Sequence, residues 1–206
     1  MLKLFFAPGS CALASHIALE ETGAPYAAVR LDLRADDQNK ADYLAINPKG
    51  RVPALVTDRG ILTETPAILV YIAQVFPDAQ LAPVDDPFAL ARLQAFNNYL
   101  CSTVHVAHAH KQRGRRWVDD PAALEAMRLK VPETVTQCFD LIERELFAGP
   151  WVQGDDYSIS DPYLFTLARW LEGDGIDPAR FPKVLDHRRQ MEQRPAVARV
   201  LALHER

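Results

Sequence analysis

The sequence predicts a small α/β domain followed by an all-helical domain. Up to about residue 76, short apolar runs typical of strands alternate with segments of helical spacing. The stretch PDAQLAPVDDP at 77–87 then has three prolines, three aspartates and no periodicity, which indicates a linker. Beyond it, every periodic segment has helical spacing. We therefore predict an α/β domain at 1–77, a linker at 78–86 and a helical domain at 87–206.

The first domain is predicted from apolar runs and the signals that interrupt them. Pro8-Gly9 ends the first strand, Gly23 ends the first helix, and Asp58-Arg59 separates two short strands as a hairpin turn. Thr65 and Pro66 are residues typical of the start of a helix. The predicted elements are strands at 2–6, 26–33, 54–57 and 60–62, helices at 11–22 and 65–76, and a polar stretch with one helical turn at 36–44.

The second domain is predicted to contain helices at 88–111, 121–147, 160–171, 181–193 and 195–204. Ser158 and Asp161 have the spacing of a capping box, in which the serine accepts from the Asp161 N–H and the aspartate reaches back to the Ser158 N–H. The helix that follows is apolar nearly all round, so we expect it at the centre of this domain.

Composition excludes several classes of protein. The chain has 206 residues, 49% of them hydrophobic, which suits a globular protein with a proper core. A net charge of −4 predicts no nucleic-acid or anionic-membrane partner, and no apolar run approaches the length of a membrane span. Three scattered cysteines argue against a disulfide framework and predict a cytoplasmic protein. The opening MLKLFF is too short for the apolar region of a signal peptide and runs into Pro8-Gly9, so we expect no targeting segment.

Cys11, in PGSCALASH, stands where a strand ends and a helix begins. The helix dipole and unpaired N–H groups would favour its thiolate and lower its pKa, and with the Ser10 hydroxyl they could instead hold the thiolate of a ligand. The alternative is a small apolar residue packed under the helix. Ala14 stands where a C-x-x-C motif has its second cysteine, so only a one-cysteine mechanism remains within this motif.

Two further motifs suit a peptide-like ligand. In NPKGRVPAL, a cis Val52–Pro53 bond would turn the Val52 backbone outward to pair with a peptide, although an ordinary trans proline is favoured from the residues alone. In LTETPAI, the helix start and the Thr65 hydroxyl suit a carboxylate while Glu64 suits an ammonium group. Plain helix capping is the alternative there.

A polar seam is predicted on the first long helix. Asn98, Ser102 and His105 have i, i+4, i+7 spacing and would share one face. His108 and His110 would point apart, so we predict no metal site. The basic stretch KQRGRRW at 111–117 either complements a helix C-terminus or attracts an anionic co-substrate.

These motifs, PGSC, NPKGRVPAL, LTETPAI and YSISDPYLF in this order, resemble the cytosolic glutathione S-transferase family over essentially the whole chain. The cysteine after Pro-Gly-Ser, together with Asn98 and His105, is most similar to the bacterial beta-type members. The resemblance implies a thioredoxin-like first domain, an all-α second domain and a homodimer. Two departures are Phe6, where beta-type members often have tyrosine, and Val106, where a lysine often follows the histidine.

The resemblance also implies a glutathione site. Val52, with a cis Pro53, would pair with the cysteinyl backbone of glutathione, and Glu64 and Thr65 would hold its γ-glutamyl head. Cys11 would lie beside the sulfur. The remaining implied residues are Ser10 as a donor near the sulfur, Arg34 at the glycyl carboxylate, and Asn98 and His105 from the helical domain.

The implied function is transfer of the glutathione thiol to small electrophiles, as in detoxification, with glutathione as co-substrate and no metal. The site would stabilise the thiolate through the helix start, Ser10 and His105. Two alternatives remain at this point. One is glutathione-dependent thiol–disulfide exchange or peroxide reduction with Cys11 as nucleophile, on a disulfide or peroxide substrate. The other is a non-catalytic binding or scaffold protein of the same fold.

Overall fold

The computed structural model describes residues 1–204 and confirms the α/β part followed by a helical part. The α/β part comprises β1 (Leu2–Phe6), α1 (Ala12–Glu21), β2 (Tyr26–Arg30), α2 (Ala41–Leu44), β3 (Ala54–Thr57), β4 (Gly60–Thr63) and α3 (Thr65–Val75). The strands form one sheet in the order β2-β1-β3-β4. β1 and β2 are parallel, and the other neighbouring pairs are antiparallel.

Alternation along β1 separates two apolar clusters on opposite faces of the sheet. Leu4 belongs to the main core with residues of α1 and α3, whereas its neighbour Phe5 packs on Tyr43 of α2, with ring centroids 5.6 Å apart. Successive side chains of a strand point to opposite faces, so neighbouring apolar residues of this short strand contribute to different clusters. The sheet is therefore covered on both sides, and the starts of α1 and α3 remain available at its end.

The helical part comprises α4 (Pro87–Tyr99), α5 (His105–Arg113), α6 (Pro121–Leu141), α7 (Ser160–Ala168), α8 (Pro182–Glu192) and α9 (Pro195–His204). Every residue of α7 is buried, which confirms its predicted central position. The Asp161 carboxylate accepts from the Ser158 N–H at 2.7 Å, as predicted. The other half of the box differs, because the Asp161 N–H donates to the Ser158 carbonyl and the Ser158 hydroxyl accepts from Ser160 instead.

Two differences from the sequence prediction matter for the site. The predicted helix at 88–111 is interrupted by a π-helical turn at Leu100–Val104, which separates α4 from α5. Strand β2 ends at Arg30 rather than at residue 33, because the Asp32 carboxylate accepts from the N–H groups of Arg34 and Ala35 and closes a turn.

A buried histidine pair connects the first and last helices. His16 of α1 and His204 of α9 share a hydrogen bond of 3.0 Å between Nδ1 and Nε2, and both rings pack on Phe6. The opposite nitrogens, His16 Nε2 and His204 Nδ1, have no hydrogen-bond partner within residues 1–204. Burial lowers the pKa of His16 to about 4 and that of His204 to about 3, so both rings are neutral at physiological pH.

No helix within residues 1–204 is both long enough and apolar enough to cross a membrane.

Candidate active site

A cavity of about 670 Å³ lies between the α/β part and the helical part. From the α/β part it is lined by the loop before α1, the segment before β3 and the start of α3. From the helical part it is lined by the π-helical turn, α5 and α7. Seven of the sequence-predicted site residues line it: Ser10, Cys11, Val52, Pro53, Glu64, Thr65 and His105. Residues far apart in the sequence therefore converge on one space.

Cys11 is the residue that immediately precedes α1, and its thiol donates to the Val52 carbonyl with an Sγ–O distance of 3.6 Å. Burial raises the pKa of this thiol, and hydrogen bonding from the Thr65 side chain and the charge of Arg113 offset the effect only in part. The prediction that the helix start lowers the Cys11 pKa is therefore wrong, because removal of the thiol from water outweighs the helix dipole. Cys11 is a neutral hydrogen-bond donor at physiological pH.

Ser10 supports the turn into α1. Its hydroxyl donates to the Ala7 carbonyl at 2.6 Å and accepts from the Ala12 N–H at 3.3 Å. The side chain is buried, and its single proton is already committed to Ala7. Ser10 therefore lines the cavity with its hydroxyl proton donated to Ala7, and its role as a donor to the sulfur stays a prediction.

The Val52–Pro53 peptide bond is cis, as the family resemblance implies. The Val52 carbonyl accepts from Cys11, and the Val52 N–H donates to no group within residues 1–204. Pro53 is buried, whereas Val52 is partly exposed in the cavity wall. The cavity wall thus contains a main-chain donor that has no partner among the described residues, which is what a peptide-like ligand needs for pairing.

Glu64 and Thr65 form the start of α3. Glu64 precedes the helix and has a positive φ of 73°, a backbone conformation that residues other than glycine rarely adopt. Its carboxylate pairs with the Lys49 ammonium group, which also donates to the Thr63 hydroxyl at 2.6 Å. No side chain caps α3 within the described residues, so the N–H groups of its first turn remain available to an anion.

His105 is the first residue of α5 and packs edge-on against Trp170, with centroids 5.1 Å apart. Burial lowers its pKa to about 4, helped by the nearby charges of His108, Arg113, Arg116 and Arg51. The ring is therefore neutral at physiological pH. It can exchange hydrogen bonds with a ligand but cannot hold a thiolate as a cation.

Asn98 and Arg34 do not line the cavity. Asn98 is exposed on α4, and its carbonyl accepts from the Ser102 hydroxyl at 2.8 Å. The π-helical turn inserts an extra residue between Asn98 and His105, so the predicted i, i+7 alignment is broken. Arg34 is exposed in the turn closed by Asp32, after a strand that ends earlier than predicted.

Several lining residues were not identified as part of a site from the sequence. Tyr163 and Trp170 belong to the segment around α7, whose pattern indicates only a buried helix, and Trp170 donates from Nε1 to the Gly9 carbonyl at 3.2 Å. Cys101 lies in the π-helical turn, which no sequence signal predicts. Arg113 and Arg116 belong to the basic stretch that the sequence left open between a helix end and an anion site.

Within the part of the chain that the structure describes, no group of three metal-binding side chains is present. His108 pairs with Asp174 at 2.7 Å and stacks on Trp170, while His110 packs edge-on against Trp117. The two histidines therefore have separate partners.

Comparison with known proteins identifies several similar chains. Residues 1–74 match the family model described as glutathione S-transferase, N-terminal domain. A protein named glutathione S-transferase GstA, from Escherichia coli O157:H7, is 34% identical over 98% of both chains. The structure of a glutathione transferase homolog from Sulfitobacter with bound glutathione is 48% identical over 98% of both chains, with a TM-score of 0.95. A beta class glutathione S-transferase from Sphingomonas chungbukensis is 36% identical over 98% of both chains, with a TM-score of 0.86.

Proposed function

Because this chain belongs to the cytosolic glutathione S-transferase family, we propose that its cavity binds glutathione and that it transfers the glutathione thiol to small electrophiles. The observation that carries this conclusion is the convergence of Cys11, Val52 and the start of α3 on one cavity. A family member of this kind is a glutathione transferase. Its neighbours suggest the beta class, to which we assign it.

The cavity supports one orientation of the tripeptide. The free N–H of Val52 and its carbonyl suit the backbone of the cysteinyl residue. The Thr65 hydroxyl and the uncapped N–H groups of α3 suit the γ-glutamyl carboxylate, and Glu64 suits its ammonium group. The glycyl carboxylate then lies on the side of Arg51, the residue before Val52, because Arg51 lines the cavity and Arg34 does not.

The thiolate of glutathione would be stabilised beside Cys11. The Cys11 thiol keeps its proton, so it can turn its donation from the Val52 carbonyl to the sulfur of glutathione. The charge of Arg113 reaches Cys11 and would act on a neighbouring sulfur in the same direction. The thiolate attacks the electrophilic carbon, a sulfur–carbon bond forms, and the leaving group departs with its electron pair. Neutral His105 contributes hydrogen bonding only.

The raised pKa of Cys11 favours conjugation over disulfide exchange. A nucleophilic cysteine reacts as its thiolate, and burial opposes that form here. A Cys11→Ala variant should therefore retain conjugation at a reduced rate. It loses the thiol that donates a hydrogen bond to the glutathione sulfur, but conjugation involves no covalent bond to Cys11. Complete loss of conjugation, with a glutathione adduct on Cys11 in the wild-type protein by mass spectrometry, would instead support the exchange mechanism.

Calorimetry with glutathione tests the proposed site directly. Glu64→Gln should weaken binding by roughly tenfold, since a charge-assisted hydrogen bond to an ammonium group contributes on the order of 1.5 kcal/mol. Glu133→Gln is the matched control, because Glu133 also pairs with a lysine and its side chain is 55% exposed against 53% for Glu64. Absence of glutathione binding by the wild-type protein would reject the proposed function.

We also propose the domain division 1–77, 78–86 and 87–206, a homodimeric state and a cytoplasmic location. The end of α3 at Val75 and the start of α4 at Pro87 support the division. Phe88 at the start of α4 is 75% exposed, which supports an interface between subunits. All three cysteines are free thiols, which supports a reducing compartment. Sedimentation of the intact protein should give about twice the monomer mass.

A further inference from the structure

Three arginine side chains line the mouth of the cavity without an acidic partner. Arg51 precedes the cis peptide on the α/β part, Arg113 ends α5, and Arg116 lies in the 3₁₀ turn Gly114–Arg116 that follows. Within residues 1–204, none of the three guanidinium groups forms a salt bridge or a hydrogen bond. Arg51 belongs to the α/β part and the other two belong to the helical part, so the packing of the two parts brings the three side chains to one cavity.

The charges of the cavity wall are not balanced. Glu64 is the one acidic residue among the lining residues that the structure describes, and Lys49 already pairs with it. Burial and the charges of Arg51 and Arg113 together lower the pKa of Arg116, so the three guanidinium groups repel one another. Unpaired like charges that surround a cavity raise the local concentration of anions and favour their binding.

Glutathione, as oriented above, does not account for all three arginines. Its γ-glutamyl carboxylate is assigned to the start of α3, and its glycyl carboxylate to the side of Arg51. Its sulfur lies by Cys11, where the charge of Arg113 acts. Arg116 stands one turn beyond Arg113 and remains without an anion. A second anionic group is needed to neutralise this end of the cavity.

Flat aromatic surfaces stand beside these charges. Trp117 follows Arg116 directly, is 49% exposed, and is held by an edge-on contact with His110 at 4.5 Å. Trp170 and His105 form the wall nearer to Cys11. An indole face binds planar apolar groups, while a guanidinium fork binds a carboxylate through two parallel hydrogen bonds.

We infer that the second substrate of this enzyme is an organic anion, a planar electrophile whose carboxylate is bound by Arg116, the guanidinium group that glutathione leaves without an anion. This inference rests on the proposed function, since it names the class of substrate for the same cavity. The electrophilic carbon lies toward Cys11 and the glutathione sulfur, and the carboxylate lies toward the outer turn. Conjugation forms the sulfur–carbon bond and expels the leaving group, while the carboxylate keeps its charge throughout.

A matched pair of electrophiles tests the inference. A chlorodinitrobenzoate and the corresponding chlorodinitrobenzamide differ only in whether the group opposite the chlorine is charged. Each kcat/KM is divided by the rate constant of the uncatalysed reaction with glutathione, which removes the difference in intrinsic reactivity. We expect the normalised value for the benzoate to exceed that for the amide by about fivefold or more, the range for a charge-assisted pair at a partly exposed site.

Arg116→Gln should reduce this preference to about one, and Arg115→Gln is the control. Arg115 lies in the same 3₁₀ turn and carries the same charge, but it does not line the cavity. The KM for glutathione should stay constant in both variants. Equal values for the benzoate and the amide, equal loss of preference in both variants, or a raised glutathione KM in Arg116→Gln would each overturn the inference.

A binding measurement separates this inference from the proposed function. Calorimetry compares S-benzylglutathione with its carboxybenzyl analogue, and we expect the carboxylated compound to bind more tightly in the wild-type protein but not in Arg116→Gln. If both compounds bind equally, the inference fails while glutathione binding stands. If neither compound nor glutathione binds, the proposed function fails and the inference fails with it.

Discussion

Acid should destabilise this protein through the buried His16–His204 pair. An ordinary histidine has a pKa of 6.5, whereas His16 has a pKa of about 4 and His204 a pKa of about 3 in the folded chain. The unfolded chain therefore binds more protons than the folded chain below pH 6.5. Stability is fully present above that pH and is lost as the pH falls toward the folded pKa values.

The magnitude follows from the width of that window. Each such histidine lowers the free energy of unfolding by about 1.4 kcal/mol per pH unit, so a change from neutral to about pH 5 costs about 2 kcal/mol for one ring and about 4 kcal/mol for the pair. A domain stability of about 5–15 kcal/mol makes this a large fraction. The geometry agrees, because a proton added to His16 Nε2 or His204 Nδ1 would find no acceptor within the described residues.

Urea unfolding at about pH 7.5 and about pH 5 measures the effect. The double variant His16→Asn/His204→Gln keeps amide groups near the two bonded nitrogens, Nδ1 and Nε2, but cannot titrate. We expect the loss of stability between the two pH values to be smaller in the double variant by about 4 kcal/mol. Carboxylates contribute equally to both proteins and cancel. An equal loss in the wild-type protein and the double variant would refute the assignment of neutral buried rings.

Three further predictions concern single residues. Asp161→Asn should lower the free energy of unfolding by about 2–3 kcal/mol, because the buried carboxylate accepts hydrogen bonds from Val152, Ser158 and His187. Urea unfolding measures this loss, and Asp155→Asn, at an exposed position, is the control. Alkylation of Cys11 by iodoacetamide should be slow at neutral pH and rise steeply in alkali, and fast labelling at neutral pH would contradict its raised pKa. Since the His105 pKa is about 4, His105→Asn should leave the shape of the pH–rate profile unchanged between about pH 6 and pH 8, whatever its effect on the rate; a lost inflection would contradict this.

The order of elements could be predicted because it depends on local signals. Glycine, proline and capping residues mark the ends of most helices and strands within one or two positions, and the buried helix α7 follows from an apolar pattern alone. The site motifs before α1, β3 and α3 are also local, so seven predicted residues meet at the cavity.

The errors arise where the outcome depends on non-local contacts. Asn98 was placed by counting along a regular helix, and the π-helical turn at Leu100–Val104 breaks that count. The Cys11 pKa was predicted from the helix start, but removal of the thiol from water raises the pKa and outweighs the hydrogen bond from Thr65. Trp170 reaches the Gly9 carbonyl across 161 positions of sequence, and no local pattern reports such a contact.

The two departures from the beta-type pattern have different consequences for the site. Phe6 does not line the cavity. It packs on His16 and His204, so the aromatic ring at this position contributes to the contact between α1 and α9.

Val106 does line the cavity, and Arg113 lies seven residues further along α5, two turns away on the same face. Because the charge of Arg113 reaches Cys11, a cation remains near the sulfur although the lysine is absent. Compared with a lysine next to His105, Arg113 is nearer to the turn that contains Arg116. The positive charge of the cavity is therefore concentrated at this turn, where the carboxylate of an anionic second substrate would bind.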